Sequence, residues 1–581
     1  MRRCTIIVAL LTCSCLYTLA LSAQERPPER ERRVGGLPRD VAHDVQNVWN
    51  APNTKRVRGD FSLAVGDTVR GDVAVLGGRA RIAGAITGQL VVINADAVLV
   101  DGASIAGALT VLGGGLESLD HPLVRGEIRV WSARLRYHEE SDTLVADVDR
   151  EVFARFARWH RDDNGQSSQL FFTTAHTYNR VEGLPLYFGP RFYAQNGDTR
   201  VNGELLGIFR TGDKLAWTRA SRGHRAMFEV RKGRHGGALV GGRLFDEVTP
   251  VEDWQLSDGE VGLASFLFSR DYRDYWQRHG GAGYVSVFTG RGSELRASFG
   301  EERWSSRRTL NPLSLFNSDR SWRTNPEADE GVLHLLTLTG RLDTRNNPEN
   351  PRTGWLLRGE YEHGQGTFDR VATSTVGVRA QTVGDVQYAR GLLDVRRYNR
   401  LGPSTQINLR VVLAGWLNGD ALPMQRRVSV SGIDALPGFD FRRTIANPDA
   451  GTCATGDDAV YVQLGRPAQC DRILLLQAEW KGDFRIRLFG DGDHFGDRRW
   501  SISRLGGDGS WVVFANTGRG WLVGDSPNAG LSRTGKLPSL STWRSDLGGG
   551  FDFGNFGVYL AEAVSQGGLQ PNVYVRLGHR F

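Results

Sequence analysis

The last ten residues, Asn572-Val-Tyr-Val-Arg-Leu-Gly-His-Arg-Phe581, alternate between two kinds of side chain. Successive side chains of a β-strand point to opposite faces, so Val573 and Val575 share one face while Arg576 and Arg580 share the other. A soluble sandwich also alternates, but it turns its apolar face inward. In a membrane β-barrel the apolar face meets lipid and the polar face meets the interior. A strand with large cations on its polar face favours the barrel.

The same alternation recurs between turns rich in Gly, Asn and Asp from about Gln169 to Phe581. The stretch is long enough for about 16 strands with their connections. The mean hydropathy of −0.34 excludes a bundle of membrane helices. We therefore expect an all-β chain: an about 16-stranded transmembrane antiparallel β-barrel (169–581), preceded by a short β-solenoid. The terminal Phe581 ends an alternating strand on an aromatic residue.

The charge distribution excludes one class of partner. The formal net charge is +7, but both signs are spread along the chain without a long basic block. A nucleic-acid surface needs clustered basic residues, so we predict no nucleic-acid partner and assign the many arginines to a polar interior.

Residues 1–23 have the pattern of a signal peptide, with Arg2-Arg3 before an apolar stretch and small residues at Ala20 and Ala23. A single N-terminal membrane anchor is the alternative. After cleavage only Cys453 and Cys470 remain, and two cysteines in an exported chain predict one loop disulfide. Neither has neighbours suited to a metal site.

The region before the barrel contains a repeat. Residues 24–60 form a polar linker with an amphipathic piece at Val41–Trp49, and then Gly71–Gly77, Gly88–Asn94 and Gly107–Gly113 share one pattern at spacings of 17 and 19 residues. A hairpin meander could explain one pair of strands, but a repeated period favours about three turns of a β-solenoid over 61–130. This segment resembles bactofilin-like, polymer-forming repeats. Residues 131–168 are predicted as a connector with a short helix at Glu151–His160.

Four landmarks carry a more specific resemblance, to the BamA/TamA-type outer-membrane barrels of the bacterial surface antigen superfamily. They are, in chain order, Arg180-Val-Glu-Gly183-Leu, which resembles the family's first strand; Asp343 to Gly354 with Pro351, which resembles a strand–turn–strand signature; Gly432-Ile-Asp-Ala-Leu436-Pro437-Gly438-Phe439, which resembles the inward-folding sixth loop; and Phe514-Ala-Asn516-Thr-Gly518, which resembles strand 13. The C-terminal Phe581 resembles the recognition signal of bacterial outer-membrane barrels. The resemblance implies an outer-membrane location.

Two departures from the family pattern concern the loop. The family has an arginine at the loop tip, where this chain has Pro437, and that arginine pairs with acids on strands 12 and 13. Glu479 matches the first acid, whereas Asn516 takes the place of the second. We expect Glu479 to point inward and Arg442 to replace the family arginine; the alternative is that water in the interior solvates Glu479. The family's periplasmic POTRA modules are also missing from the sequence pattern, and the solenoid stands in their place.

No catalytic constellation, cofactor motif or metal motif is found, so we predict that the chain is not an enzyme. The resemblance implies a barrel that assists insertion or translocation of proteins, with unfolded outer-membrane proteins as clients and outer-membrane lipid around it. The alternatives are a structural anchor for a periplasmic β-solenoid that stacks on a partner, and a passive pore. In each case the region before the barrel is expected to be periplasmic.

Overall fold

The computed structural model describes residues 39–577 and Arg580, with gaps. The gaps are 101, 119–122, 127, 132–133, 136, 141–142, 147–156, 162–166, 174–177, 214, 234–235, 253, 290–292, 317–321, 346–350, 373–382, 403–404, 431, 440–469, 488–505, 522–536, 554–555, 566–570 and 578–579. The predicted signal peptide, Arg442, Cys453 and Phe581 therefore lie outside the described residues.

The first unit is a helix followed by a series of short strands that pair in parallel. Helix α1 spans Arg39–Asn50 and contains the predicted amphipathic piece. The strands that follow are β1 (Lys55–Arg58), β2 (Phe61–Leu63), β3 (Thr68–Val69), β4 (Val73–Leu76), β5 (Arg79–Ile82), β6 (Ala85–Ile86), β7 (Leu90–Ile93), β8 (Asp96–Leu99), β9 (Ser104–Ile105), β10 (Leu109–Leu112), β11 (Leu116–Ser118), β12 (Leu123–Val124) and β13 (Ile128–Trp131).

These strands pair in parallel to form three sheets, β1-β4-β7-β10-β13, β2-β5-β8-β11 and β3-β6-β9-β12. That arrangement is a β-solenoid of about four turns. The sequence predicted about three, because the first turn carries the exposed cationic strand β1, which breaks the apolar repeat. In β4, Val73 and Val75 enter the solenoid core, while Ala74 and Leu76 pack under α1. Burial on both faces explains the uninterrupted apolar runs.

The connector differs from its prediction. A hairpin of β14 (Tyr137–Glu140) and β15 (Thr143–Ala146) follows the solenoid, and Leu144 packs with α1. The helix predicted at Glu151–His160 is wrong in its second half, since Ala157–Arg161 form strand β16, which pairs with β17. Apolar residues at a helical spacing occur by chance in short segments, and here pairing with a neighbouring strand decides the backbone conformation.

The second unit is one antiparallel sheet of seventeen strands in sequence order, β16 to β32. The strands are β16 (Ala157–Arg161), β17 (Ser167–Thr173), β18 (Pro185–Asn196), β19 (Thr199–Arg210), β20 (Arg222–Lys232), β21 (Gly236–Pro250), β22 (Tyr275–Thr289), β23 (Ser293–Ser306), β24 (Glu330–Asp343), β25 (Gly354–Arg370), β26 (Gly384–Arg400), β27 (Thr405–Gly419), β28 (Arg472–Arg487), β29 (Gly506–Trp521), β30 (Arg544–Asp552), β31 (Gly557–Ala563) and β32 (Asn572–Arg576). The predicted count of about sixteen is confirmed, with β16 as a short additional strand. Helix α2 (Asp258–Phe268) lies between β21 and β22.

The sheet is curled into a barrel. Asp434 accepts a hydrogen bond from the backbone N–H of Leu256, which follows β21, and forms an ion pair of 2.5 Å with Arg576 in β32. Neighbouring strands lie about 4.8 Å apart, so a flat sheet would separate β21 from β32 by about 50 Å. A single carboxylate can touch both only if the sheet wraps around it.

The two faces of the barrel wall differ as the alternation predicts. Along β28, Gln477 and Glu479 are buried, whereas Leu476 and Trp480 are exposed. The exposed face of the other strands also carries Leu, Val and Phe side chains at alternate positions. The described part of the chain has no helix that is both long and apolar enough to cross a membrane.

Candidate functional site

The barrel interior is filled by the connection between β27 and β28. We call its described part, residues 420–430 and 432–439, the inner loop. Nearly every residue from 421 to 439 is buried, and the loop contacts strands on several sides of the barrel. It therefore forms a plug rather than a surface loop.

The root of the inner loop is held by a cation that packs against two aromatic rings. The guanidinium of Arg426 lies 4.8 Å from the ring centroids of both Trp276 in β22 and Trp304 in β23. Its Nε donates to Oε1 of Glu362 in β25 at 2.7 Å. Arg390 binds the same carboxylate at 3.1 Å. A planar guanidinium suits this position because it stacks on rings and donates at its edge simultaneously.

A buried carboxylate also holds the backbone next to Arg426. Asp329 accepts hydrogen bonds from the N–H of Met424 and the N–H of Ala372, both at 2.8 Å. The side chain of Gln425 completes the contact through the backbone of Asp329. Burial raises the pKa of Asp329 above its ordinary value, although the two backbone donors counteract this effect.

The tip of the inner loop contains the predicted loop motif, and it lies against the last strands. The N–H of Gly438 donates to Oδ2 of Asp546 in β30 at 2.8 Å. The amide of Asn572 in β32 donates to the carbonyls of Pro437 and Gly438, at 3.2 Å each. The side chains of Leu436 and Phe439 are buried in an apolar cluster with strands β27 and β28, while Gly432 has a left-handed φ of 106° at the start of this turn.

The end of the chain turns into the interior beside this tip. Arg576 donates from Nε to Oε1 of Glu260 in α2 at 2.6 Å and pairs with Asp434. The N–H of Leu577 donates to the same Oε1 at 2.9 Å. Burial alone would raise the pKa of Glu260, but the charge and hydrogen bonds of Arg576 outweigh it, so the pKa lies below its ordinary value.

Glu479 is buried and has partners other than the expected Arg442. The amide of Asn408 donates to its Oε1 at 3.0 Å, and Nε of Arg580 lies 3.4 Å from its Oε2. Arg580 also donates to Oδ1 of Asn516 at 3.2 Å. The structure thus brings Glu479 and Asn516 together around a cation from the C-terminal end. The predicted docking of Arg442 concerns a residue outside the described part of the chain.

Two other predicted strand motifs lie within strands or at their ends. Asp343 ends β24 and Gly354 begins β25, with Pro351 in the intervening turn, so this signature is a strand–turn–strand unit. Phe514, Asn516 and Gly518 lie in β29, the thirteenth strand counted from β17.

The Arg180–Leu184 motif does not form a strand, contrary to the prediction. Asn179 and Gly183 are bridged across a tight turn between β17 and β18, with Gly183 at φ 68°. The fully buried Arg180 pairs with Asp271 at 3.3 Å and Asp274 at 3.1 Å. Arg180, Val181 and Glu182 are buried one after another, whereas a strand of the barrel wall would alternate between buried and exposed side chains.

Cys470 is disulfide-bonded. Its predicted partner Cys453 lies outside the described residues, as does the terminal Phe581. The described residues contain no cluster of three or more His, Cys, Asp or Glu side chains that could hold a metal ion.

Comparisons with known proteins bear on this barrel. No protein-family model matches the chain, and no curated protein matches it. Solved structures that match include BamA from Haemophilus ducreyi lacking POTRA domains 1–3, at 10% identity and a TM-score of 0.39, over 76% of this chain and 88% of that chain. BamA is among the solved structures to which this chain is similar.

CdiB from Acinetobacter baumannii is a second match, at 9% identity and a TM-score of 0.26. The match covers 71% of this chain and 64% of CdiB, a little under two thirds of its length. The bactofilin-like character of the solenoid stays a prediction.

Sequence reasoning did not assign a role to Arg426 or an interior partner to Arg576 and Arg580. A signal existed for each. Arg576 and Arg580 occupy the polar face of the last strand pattern, where a cation must find an interior partner. Trp276 and Trp304 fall on inward-facing positions of their strands, and large aromatic rings in a polar interior indicate a buried cation.

Proposed function

We propose that the chain is an outer-membrane barrel that assists insertion or translocation of proteins, with the solenoid on the periplasmic side. The observation that carries this proposal is an interior filled by the inner loop, next to an edge of the sheet where the strands pair over few residues. The inner loop occupies the space that a passive pore would leave open. Proteins that pass or join such a barrel therefore need an opening at the edge of the sheet or a displacement of the loop.

The weak edge lies where the sheet begins and ends. Strand β32 pairs with β31 over five residue pairs, and β16 pairs with β17 over four. The central strands β24 and β25 pair over fourteen. Within the described residues, β16 and β32 end the order of strands and form no ladder with each other. Within the described residues, separating the sheet here disrupts fewer backbone hydrogen bonds than separating two central strands.

An edge strand presents unpaired N–H and C=O groups that can bind an extended segment of another chain. We propose that a client strand adds at β32. The exposed side chains of β32, Val573 and Val575, then border the client, whereas equally exposed residues on a central strand border lipid.

Site-specific photo-crosslinking in cells tests this function. A photoreactive amino acid replaces Val573 or Val575, and the matched controls carry it at Val285 or Val287, which are similarly exposed on β22. We expect adducts with outer-membrane barrel proteins, or with one exported protein, at the β32 positions alone. Equal adducts at both strands, or lipid adducts only, would contradict the proposal.

The structural-anchor alternative is favoured by one observation. The solenoid has a complete core and a sheet covered by α1 and Leu144, so it is a folded unit independent of client binding. Co-purification of the intact protein from membranes separates the two functions. A single stoichiometric periplasmic partner without barrel proteins would support the anchor.

A further inference from the structure

The end of the last strand is fixed by side chains rather than by its backbone ladder. Arg576 and Arg580 are each 6% exposed, while Val573 and Val575 on the opposite face are 69% and 56% exposed. Both arginines therefore point into the barrel. Because the described residues of β32 form five ladder pairs with β31, these two side chains supply much of what holds the strand.

Arg576 connects the strand to two separate elements. Its Nε reaches Glu260 of α2 at 2.6 Å, and its Nη1 reaches Asp434 of the inner loop at 2.5 Å. The N–H of Leu577 adds a backbone contact to Glu260. A buried guanidinium requires such partners because an unpaired charge in a low-dielectric interior is strongly unfavourable.

Arg580 connects the end of the chain to the barrel wall. Its guanidinium carbon lies 3.5 Å from the ring centroid of Phe514, and its Nη1 donates to the hydroxyl of Tyr574 at 2.6 Å. Its remaining donors face Asn516 and Glu479. Phe514 and Asn516 lie in β29 and Glu479 in β28, so the chain end is bound to strands three and four places away from β32.

We propose that Arg576 and Arg580 form a two-point latch. The latch holds β32 and the residues after it in place against α2, the inner loop and strands β28 and β29. The latch couples the release of β32 to α2 and to the inner loop, because the strand cannot move away while Glu260, Asp434 and Glu479 keep their arginines. Among the described residues, Arg580 from the C-terminal end supplies a cation at Glu479, next to a loop tip that carries Pro437.

This inference rests on the proposed function only where it gives strand release a role in client binding. The contacts of the two arginines are a property of the barrel alone. Hydrogen–deuterium exchange of the purified full-length protein measures it directly, because exchange of strand amides follows local opening. The variants are R576Q, R580Q and both together. We expect the amides of β31 and β32 to exchange at least about tenfold faster in each single variant and faster still in the double variant.

A matched control removes a buried arginine that does not touch β32. Arg278 in β22 binds Glu302 in β23 at 2.8 Å, so R278Q removes a comparable buried guanidinium–carboxylate contact elsewhere. It should leave exchange in β31 and β32 unchanged. The reversed pair E479R with R580E should restore slow exchange, which a purely steric role of Arg580 would not allow.

The outcomes are distinct. Exchange in β31 and β32 within twofold of the wild type in R580Q and R576Q would overturn the latch. If R576Q does not assemble, E260Q removes one partner of Arg576 and gives the same test. Faster exchange in β32 without client adducts at Val573 would leave the latch standing and overturn the proposed function.

Discussion

Replacing Arg426 with alanine should release the inner loop. Two cation–π contacts in a desolvated site contribute up to about 2 kcal/mol each, and a hydrogen bond to a carboxylate contributes about 1.5–3 kcal/mol. The two rings share one cation, at 4.8 Å from each centroid, so the two cation–π contributions do not add in full. We take about 4 kcal/mol for the cation–π contacts and the hydrogen bond together. Arg390 stays bound to Glu362 and limits the cost of leaving that carboxylate behind.

A loss of about 4 kcal/mol raises the population with a displaced loop about 10³-fold, at about 1.4 kcal/mol per factor of ten. Planar-bilayer recordings of the purified protein should show frequent large openings in R426A and few in R426K, which keeps the charge. The control is R397A, since Arg397 stacks on Trp355 at 4.9 Å on the outer face of the barrel. Equal conductance in R426A and the wild type would refute the reasoning.

Three further predictions concern other elements. G354A should reduce barrel assembly, because Gly354 has φ 110° and an added Cβ would lie 2.3 Å from the carbonyl oxygen of Thr344; the amount of heat-resistant barrel in membranes measures it, and normal amounts would contradict the turn argument. The pKa of Glu260 is below its ordinary value, so the stability from its pair with Arg576 is present at neutral pH and is lost as pH falls through the folded-state pKa. The difference in thermal midpoint between wild type and E260Q should therefore shrink in acid, and a constant difference would argue against the pair. Deletion of Phe581 should block assembly of the barrel while leaving the solenoid folded, and normal outer-membrane levels of the truncated chain would show that the terminal residue is no signal.

The elements that the sequence predicted well are those set by local periodicity. The alternation in β28 predicts which side Glu479 faces, because the period of a strand is fixed by its backbone. The Gly-bounded apolar runs predict the solenoid for the same reason. Even the polar face of β32 follows from its pattern.

The partners of the interior charges could not be predicted, because they depend on which strands the curled sheet brings together. The sequence suggested Arg442 as a partner of Glu479, and Arg442 lies outside the described residues. The cation that the structure describes at that carboxylate is Arg580, 101 positions along the chain. The motif at Arg180 illustrates the same limit. Its turn depends on Asp271 and Asp274, which a sequence pattern does not place nearby.

The contact between Arg576 and Glu260 joins residues 316 positions apart. Contacts of such separation form late, because the intervening chain must already be ordered for the two groups to meet. Helix α2 and the inner loop have to be inside the barrel before Arg576 finds both carboxylates. The plug is therefore a condition for completing the wall, and a chain that has not yet taken up its own loop keeps its last strand open.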